Sequence, residues 1–290
     1  MTSIDLRSTN EWRALPVFLA LAFLLSWYPW ALHAAGYPGN GNPNPLGLLL
    51  AALIASSIDS GWRGPVAILR SIVRLRAAPS LWLASIGIPI AAVAAGLALA
   101  ANQNIPVELH ALDWSDLLDR FLIAFLFVAL GEEPAWRGFL QPLLQRRLSP
   151  LTAALSIGAI WAFWHLPLMG TEFAWPLVPA FLVSVFAAAI ALAWLYNASN
   201  SSLLPMIMHA TVNTVGAGYA FKFVPAANLE QFWWLYAGVW AFIAFAIATL
   251  TLGRLGARRS IERHAARQHQ LEEQQQRDQR GDRHQRDAAA

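Results

Sequence analysis

Cysteine is absent from the 290 residues, and charge is scarce. With no thiol there is no disulfide, no Cys-ligated zinc, no iron–sulfur cluster and no cysteine nucleophile. Charged residues make up 13 % of the chain and apolar ones 57 %, against about 25 % and 45–50 % in soluble domains. That imbalance excludes an ordinary soluble fold. What fills the sequence instead is apolar length and tryptophan. Fourteen Trp and a mean hydropathy of +0.44 suit a protein with two membrane–water interfaces to line. The net charge is +3, yet the basic residues flank apolar runs and the C-terminal tail without forming one patch, which argues against nucleic acid as a partner.

Eight apolar runs stand out, at 14–35, 46–58, 81–101, 121–144, 152–169, 175–196, 203–219 and 232–252. Most approach the roughly 20 residues a helix needs to cross the hydrocarbon. The first is read as a retained helix, because Asp5, Arg7, Glu11 and Arg13 precede it and no small-residue cleavage site follows. With eight crossings and the N-terminus inside, all of the 20 Lys and Arg except Arg120 and Lys222 fall on the inner side. This is a strong positive-inside bias. The expected fold is therefore all-α: a polytopic helical bundle of about eight transmembrane helices with both termini cytoplasmic. It divides into a cytoplasmic N-terminus (1–13), a membrane domain (14–256) and a charged tail (257–290) too polar to form a core. Within the membrane domain, 62–76 places Arg63, Arg70 and Arg74 on one helical face, with Val66, Leu69, Ile72 and Val73 largely opposite. That pattern reads as an interfacial helix on the cytoplasmic leaflet. The outer loop 36–45 (GYPGNGNPNP) reads as a turn segment with no evident chemistry.

An ionisable side chain at the centre of a span costs at least about 2.5–3.5 kcal/mol, so the polar residues inside the spans are the informative ones. They form three groups: Gly131-Glu132-Glu133-Pro134-Ala135-Trp136-Arg137-Gly138, then Trp161 to His165, then His209 to Asn213. Glu133 and Arg137 stand four apart and can pair; so do His209 and Asn213, which project together. Pro134 breaks the backbone ladder, and a kink there would let both carboxylates face inward. Glu132 then has no partner on its own helix, which leaves the two histidines and Asn213 as its expected partners. Counting 1.5 Å per residue puts Glu132 and His209 about 6 to 10 Å from the cytoplasmic surface and His165 roughly 20 Å from it. Tilt or a later helix start must close that gap. Two histidines, a carboxylate and an amide in one cavity are the parts for activating water and stabilising an oxyanion. They equally match a zinc site of two histidines and a carboxylate, with His165, His209 and Glu132 as ligands. No Ser occupies a recognisable nucleophile setting.

At these residues the sequence resembles the CAAX prenyl endopeptidase and bacteriocin-processing (CPBP) family of intramembrane proteases. The family signature is Glu-Glu-x-x-x-Arg, aromatic-x-x-x-His and His-x-x-x-Asn, in that order on separate membrane helices. Here these read as Glu132-Glu133-Pro134-Ala135-Trp136-Arg137, Trp161 to His165, and His209 to Asn213, with Trp161 where Phe is usual. The motif core runs from 131 to 213. The resemblance implies hydrolysis of a peptide bond near the C-terminus of a lipidated or membrane-associated peptide or protein. It implies a multi-pass protein of a bacterial plasma membrane, with its cavity open to the cytoplasm. Glu132 with His165 would polarise water, and His209 with Asn213 would bind a metal, the water or the oxyanion. Glu133 and Arg137 would form a structural or substrate-contacting pair. The family is described both as metalloproteases, with one divalent metal such as zinc, and as metal-free enzymes with a Glu base. Both stay open here. Two further readings compete: a proton-coupled transporter, since membrane-embedded Glu and His also mark ion pathways, and a non-catalytic membrane partner or immunity protein.

Overall fold

Within hydrocarbon every backbone N–H and C=O must find its partner inside the protein, and a helix satisfies them within one segment. The computed structural model describes residues 6–109 and 114–257 and is all-helical, with a lone bridge between Met169 and Phe173 as the only strand-like pairing among the described residues. Helices α1 (Leu6–Ala34), α2 (Leu46–Ser60), α3 (Arg63–Ile72) and α4 (Pro79–Asn102) come first. Helix α5 is unbroken over 117–144 but alternates α turns with π turns at Ala124–Ala129 and Pro134–Leu140. It is followed by α6 (Pro150–Trp164) and α7 (Val178–Ser199). Helix α8 (Leu203–Thr211) continues as a π turn over Val212–Ala217, and α9 is Leu229–Leu250. Proline opens α4 and α6, where a missing N–H costs nothing. Ser149 caps α6 by accepting the Thr152 N–H at 3.1 Å.

Each apolar run of the sequence overlaps one of these helices, and α3 lies between two of the runs. Four stretches are both long and apolar enough to cross a membrane: Arg13–Ala34, Pro79–Asn102, Trp175–Ser199 and Ala226–Leu250. Helices α2 and α6 are apolar but shorter. Large apolar side chains such as Leu83, Leu126, Phe242 and Phe245 lie on the outside, while Glu132, Glu133 and Arg137 are buried. This inversion of the soluble pattern, with the apolar helices, makes the chain an integral membrane protein.

Glycine lets the helices touch backbone to backbone. A Cβ on Gly47 would stand 2.3 Å from the Leu25 carbonyl oxygen, and one on Gly131 would stand 2.4 Å from that of Pro45. Helix α5 thus crosses the start of α2 at the residue before Glu132.

The connections sort to two ends of the bundle. At one end Arg146 makes two 2.7 Å hydrogen bonds to Asp59, in the last turn of α2 and beyond the apolar run 46–58. There the Ser202 N–H also donates to the Ser71 carbonyl at 2.9 Å, and Ser201 Oγ to that of Arg74 at 2.8 Å. At the other end the Glu108 N–H donates to Phe223 O at 2.9 Å. Asp116 accepts there from the Tyr219 hydroxyl and from Arg120, which hold its carboxyl below the usual carboxylate range. Loop 36–45 starts at this second end but folds back into the bundle. Its Asn44 N–H donates to Ser26 O at 2.8 Å, about 12 Å along α1 from that helix's end.

The structure departs from the expected elements in three places. Helix α1 begins at Leu6, within the stretch 1–13 expected as the N-terminal segment. Helix α3 stops at Ile72, not Arg76, and turns Ile68 and Ser71 inward, while Leu69, Val73, Arg63 and Arg70 are exposed. Helix α6 stops at Trp164, not Met169, because Pro167 cannot donate to continue the ladder and disfavours helix at the residue before it. The tail, from residue 258 onward, lies outside the described residues.

Candidate active site

The Glu pair sits in a four-residue α segment, Leu130–Glu133, between the two π turns of α5. Pro134 has no N–H to give to the i−4 carbonyl, so the ladder widens there; such π turns occur frequently at functional sites. Glu132 is 2 % exposed and Glu133 is fully buried. Adjacent positions on a helix point about 100° apart, so the two carboxylates meet different neighbours.

Glu132 Oε2 accepts the indole N–H of Trp161 at 2.6 Å and that of Trp136 at 3.3 Å. Glu133 Oε1 takes Nδ1 of His209 at 2.7 Å and Nη1 of Arg137 at 3.2 Å. The partner expectations for Glu132 are therefore corrected twice. Its own helix does supply a partner, Trp136, four residues on. Of the two histidines expected to serve it, His209 pairs with Glu133 and His165 with the Trp161 carbonyl. Arg137 is itself fully buried, its guanidinium 4.9 Å from the centre of the Trp161 ring.

His165 caps α6, with Nδ1 2.7 Å from the Trp161 carbonyl. A carbonyl only accepts, so Nδ1 carries a hydrogen, and in the neutral imidazole Nε2 keeps a free lone pair. Trp164 and Phe181 pack edge-on against the imidazole at centroid distances of 5.2 and 5.1 Å. The Trp164 carbonyl is tied to α1 by the Trp27 indole at 3.0 Å. Asn213 lies in the π turn that continues α8.

Glu132, His165, His209 and Asn213 all line one cavity of about 570 Å3. Its wall is apolar, with Phe181, Val185, Leu192 and Trp233 among the lining residues. Glu133 and Arg137 lie behind that surface, outside the lining. Counted to the end of α5 at Leu144, Glu132 lies about 18 Å from that end and not about 6 to 10 Å, close to the roughly 22 Å of His165 from the start of α6, while His209 lies about 9 Å from the start of α8.

Sequence reasoning missed the indole donors: Trp161 stands there only as the motif aromatic and Trp136 as an unassigned position before Arg137. It also missed Asn40, Asn42 and Glu172, which reach the cavity from loop 36–45 and from the loop after α6. Asn42 Nδ2 donates to Glu172 Oε1 at 3.2 Å and joins the two loops. Nothing in a Gly/Pro/Asn turn announces that it folds back onto a site.

Among the described residues no three His, Cys, Asp or Glu side chains converge as ligands. Nδ1 of each histidine is held, by the Trp161 carbonyl and by Glu133, and Glu132 Oε2 by two indoles, so any metal in the cavity would be met by Nε2 of His165 and His209 and by Oε1 of Glu132.

Residues 114–215 match the model of the Rce1-like family, type II CAAX prenyl endopeptidase Rce1-like. The match spans all three motifs and agrees with the family resemblance they carry. The search of curated proteins gives no match.

Proposed function

We propose, taking residues 114–215 as an Rce1-like segment, that the chain is an intramembrane endopeptidase of the CAAX type with Glu132 as its general base. The observation that carries this reading is a carboxylate held by two indoles at the wall of a cavity that His165, His209 and Asn213 also line. Indole N–H groups fix the carboxylate's orientation without neutralising it, which keeps Glu132 available as an acceptor.

The chemistry follows from the donors and acceptors. Water in the cavity gives a proton to Glu132 while Nε2 of His165 accepts its second hydrogen bond. The oxygen attacks the scissile carbonyl, and charge develops on the carbonyl oxygen. His209 is the cation that faces it. With His209 protonated, the buried set of Glu132, Glu133, Arg137 and His209 is electrically balanced, which burial demands. Its Nδ1–H is committed to Glu133, so Nε2–H points to the oxyanion, with the Asn213 amide beside it. The C–N bond then breaks and the proton held by Glu132 passes to the leaving amine. Glu133 and Arg137 position His209 and touch no reacting atom. No step is routed through a metal. The apolar wall suits a segment of a membrane-associated peptide, lipidated or not.

The test compares new peptide termini in membranes from cells making the wild type, Glu132→Gln or His165→Ala at equal protein levels. Termini present with the wild type and missing with both variants support the reading and name substrates. Identical profiles count against it. A function that survives Glu132→Gln would favour the partner-holding role.

A further inference from the structure

The cavity and the arginines lie at opposite ends of the bundle. Asn40, Asn42, Glu172 and Phe173 bring the cavity to the end formed by loops 36–45 and 165–174. No lining residue comes from 61–78, 145–149 or 199–202, the connections at the other end. That other end carries Arg63, Arg70, Arg74, Arg76, Arg146 and Arg147. The cavity's end has Arg120 and Lys222 alone among the described residues, together with the acids Glu108, Asp116, Asp119, Glu172 and Glu230. Lys and Arg in short loops stay on the cytoplasmic side, and Asp and Glu contribute little to that rule. Cytoplasmic arginines and a cytoplasmic cavity, both expected from the sequence, are therefore incompatible in this fold.

We infer that the arginines set the orientation and that the cavity opens on the outer face of the membrane. Resting on the protease reading above, the substrate class is then a peptide segment presented from outside, after translocation or as the outer part of another membrane protein. A prenylated C-terminus confined to the cytoplasm does not reach this mouth.

The chain lacks cysteine, so single cysteines report position without background. Tyr37→Cys and Ala174→Cys mark the loops at the cavity's end, and Leu75→Cys and Leu148→Cys the arginine end; all four positions are exposed. Intact cells are treated with a membrane-impermeant maleimide, then compared with permeabilised cells. The expected result is labelling of Tyr37→Cys and Ala174→Cys in intact cells, and of Leu75→Cys and Leu148→Cys after permeabilisation alone. Labelling of the arginine end in intact cells, or of the cavity's end only after permeabilisation, overturns the inference. The readout is independent of activity. A reversed pattern leaves the protease reading standing, while a Glu132→Gln variant with unchanged termini removes that reading and leaves the orientation standing. Where Glu132-dependent termini are found, they are expected in segments on the outer face, and cytoplasmic ones overturn the assignment of substrate class.

Discussion

Glu133 and Arg137 offer a test of the site's electrostatics that needs no substrate. Both side chains are 0 % exposed, 3.2 Å apart, and His209 stands 2.7 Å from the same carboxylate oxygen. Glu133 Oε2 and Arg137 Nε and Nη2 have no hydrogen-bond partner, so this pair has little reserve of other contacts. Glu133→Leu strands a buried guanidinium and Arg137→Met strands much of a buried carboxylate's charge. Breaking a buried pair in this way costs about 3–5 kcal/mol. Removing both together replaces two charges by apolar volume, so the double variant should be less damaged than the sum of the singles by about 2–3 kcal/mol. His209 keeps the double variant from full recovery, because its Nδ1 loses its acceptor. The assay is thermal unfolding of the purified protein in detergent for the wild type, both singles and the double. Singles that each cost less than about 1 kcal/mol and simply add would mean that the charges are solvated like a surface pair. The balanced buried set would then be refuted.

Three other outcomes follow from the same geometry. Trp161→Phe keeps the ring but removes the 2.6 Å donor to Glu132; a hydrogen bond to a charged group is worth about 1.5–3 kcal/mol, so Glu132-dependent cleavage should slow by about 10- to 100-fold. Trp136→Phe, which removes the longer 3.3 Å bond, should slow it less, and the reverse order would contradict the assignment. Gly131→Ala places a methyl 2.4 Å from the Pro45 carbonyl and should cost about 1–3 kcal/mol in unfolding measurements; an unchanged melting temperature would contradict the close crossing. Arg146 holds the Asp59 carboxyl below its ordinary range, so the folded carboxyl titrates at lower pH than the unfolded one. The stability this gives is present above the unfolded value and lost as pH falls below about 4, and it amounts to about 0–1 kcal/mol because Arg146 is 40 % exposed. Asp59→Asn should flatten that acid-side fall in melting temperature.

Much of the site was legible because its signals are local. Charged residues are rare enough in apolar runs that Glu132, Glu133 and Arg137 mark themselves, and a spacing of four within one helix gives the Glu133–Arg137 pair directly. Pairing between helices left no such trace. Periodicity could not tell which carboxylate His209 would meet, nor that Trp161 on α6 would donate to Glu132 on α5. The π turns add to this, since a wider turn changes which side chains share a face. Pro167 was a readable stop that a hydropathy run overrode, and it makes His165 a helix cap. The return of loop 36–45 depends on the Asn44–Ser26 backbone contact and on the space above Gly131, and neither is written in local composition.

The role of Glu132 as the base is tested most directly with purified protein in lipid vesicles and a peptide named by the terminus comparison. Cleavage by the wild type is set against cleavage by Glu132→Gln, which keeps the shape of the side chain and its place beside the indoles. Loss of a general base is expected to lower the rate by about 10²–10⁴-fold, with the melting temperature unchanged. Cleavage retained at the wild-type rate by a folded Glu132→Gln protein would contradict the assignment of Glu132 as the base.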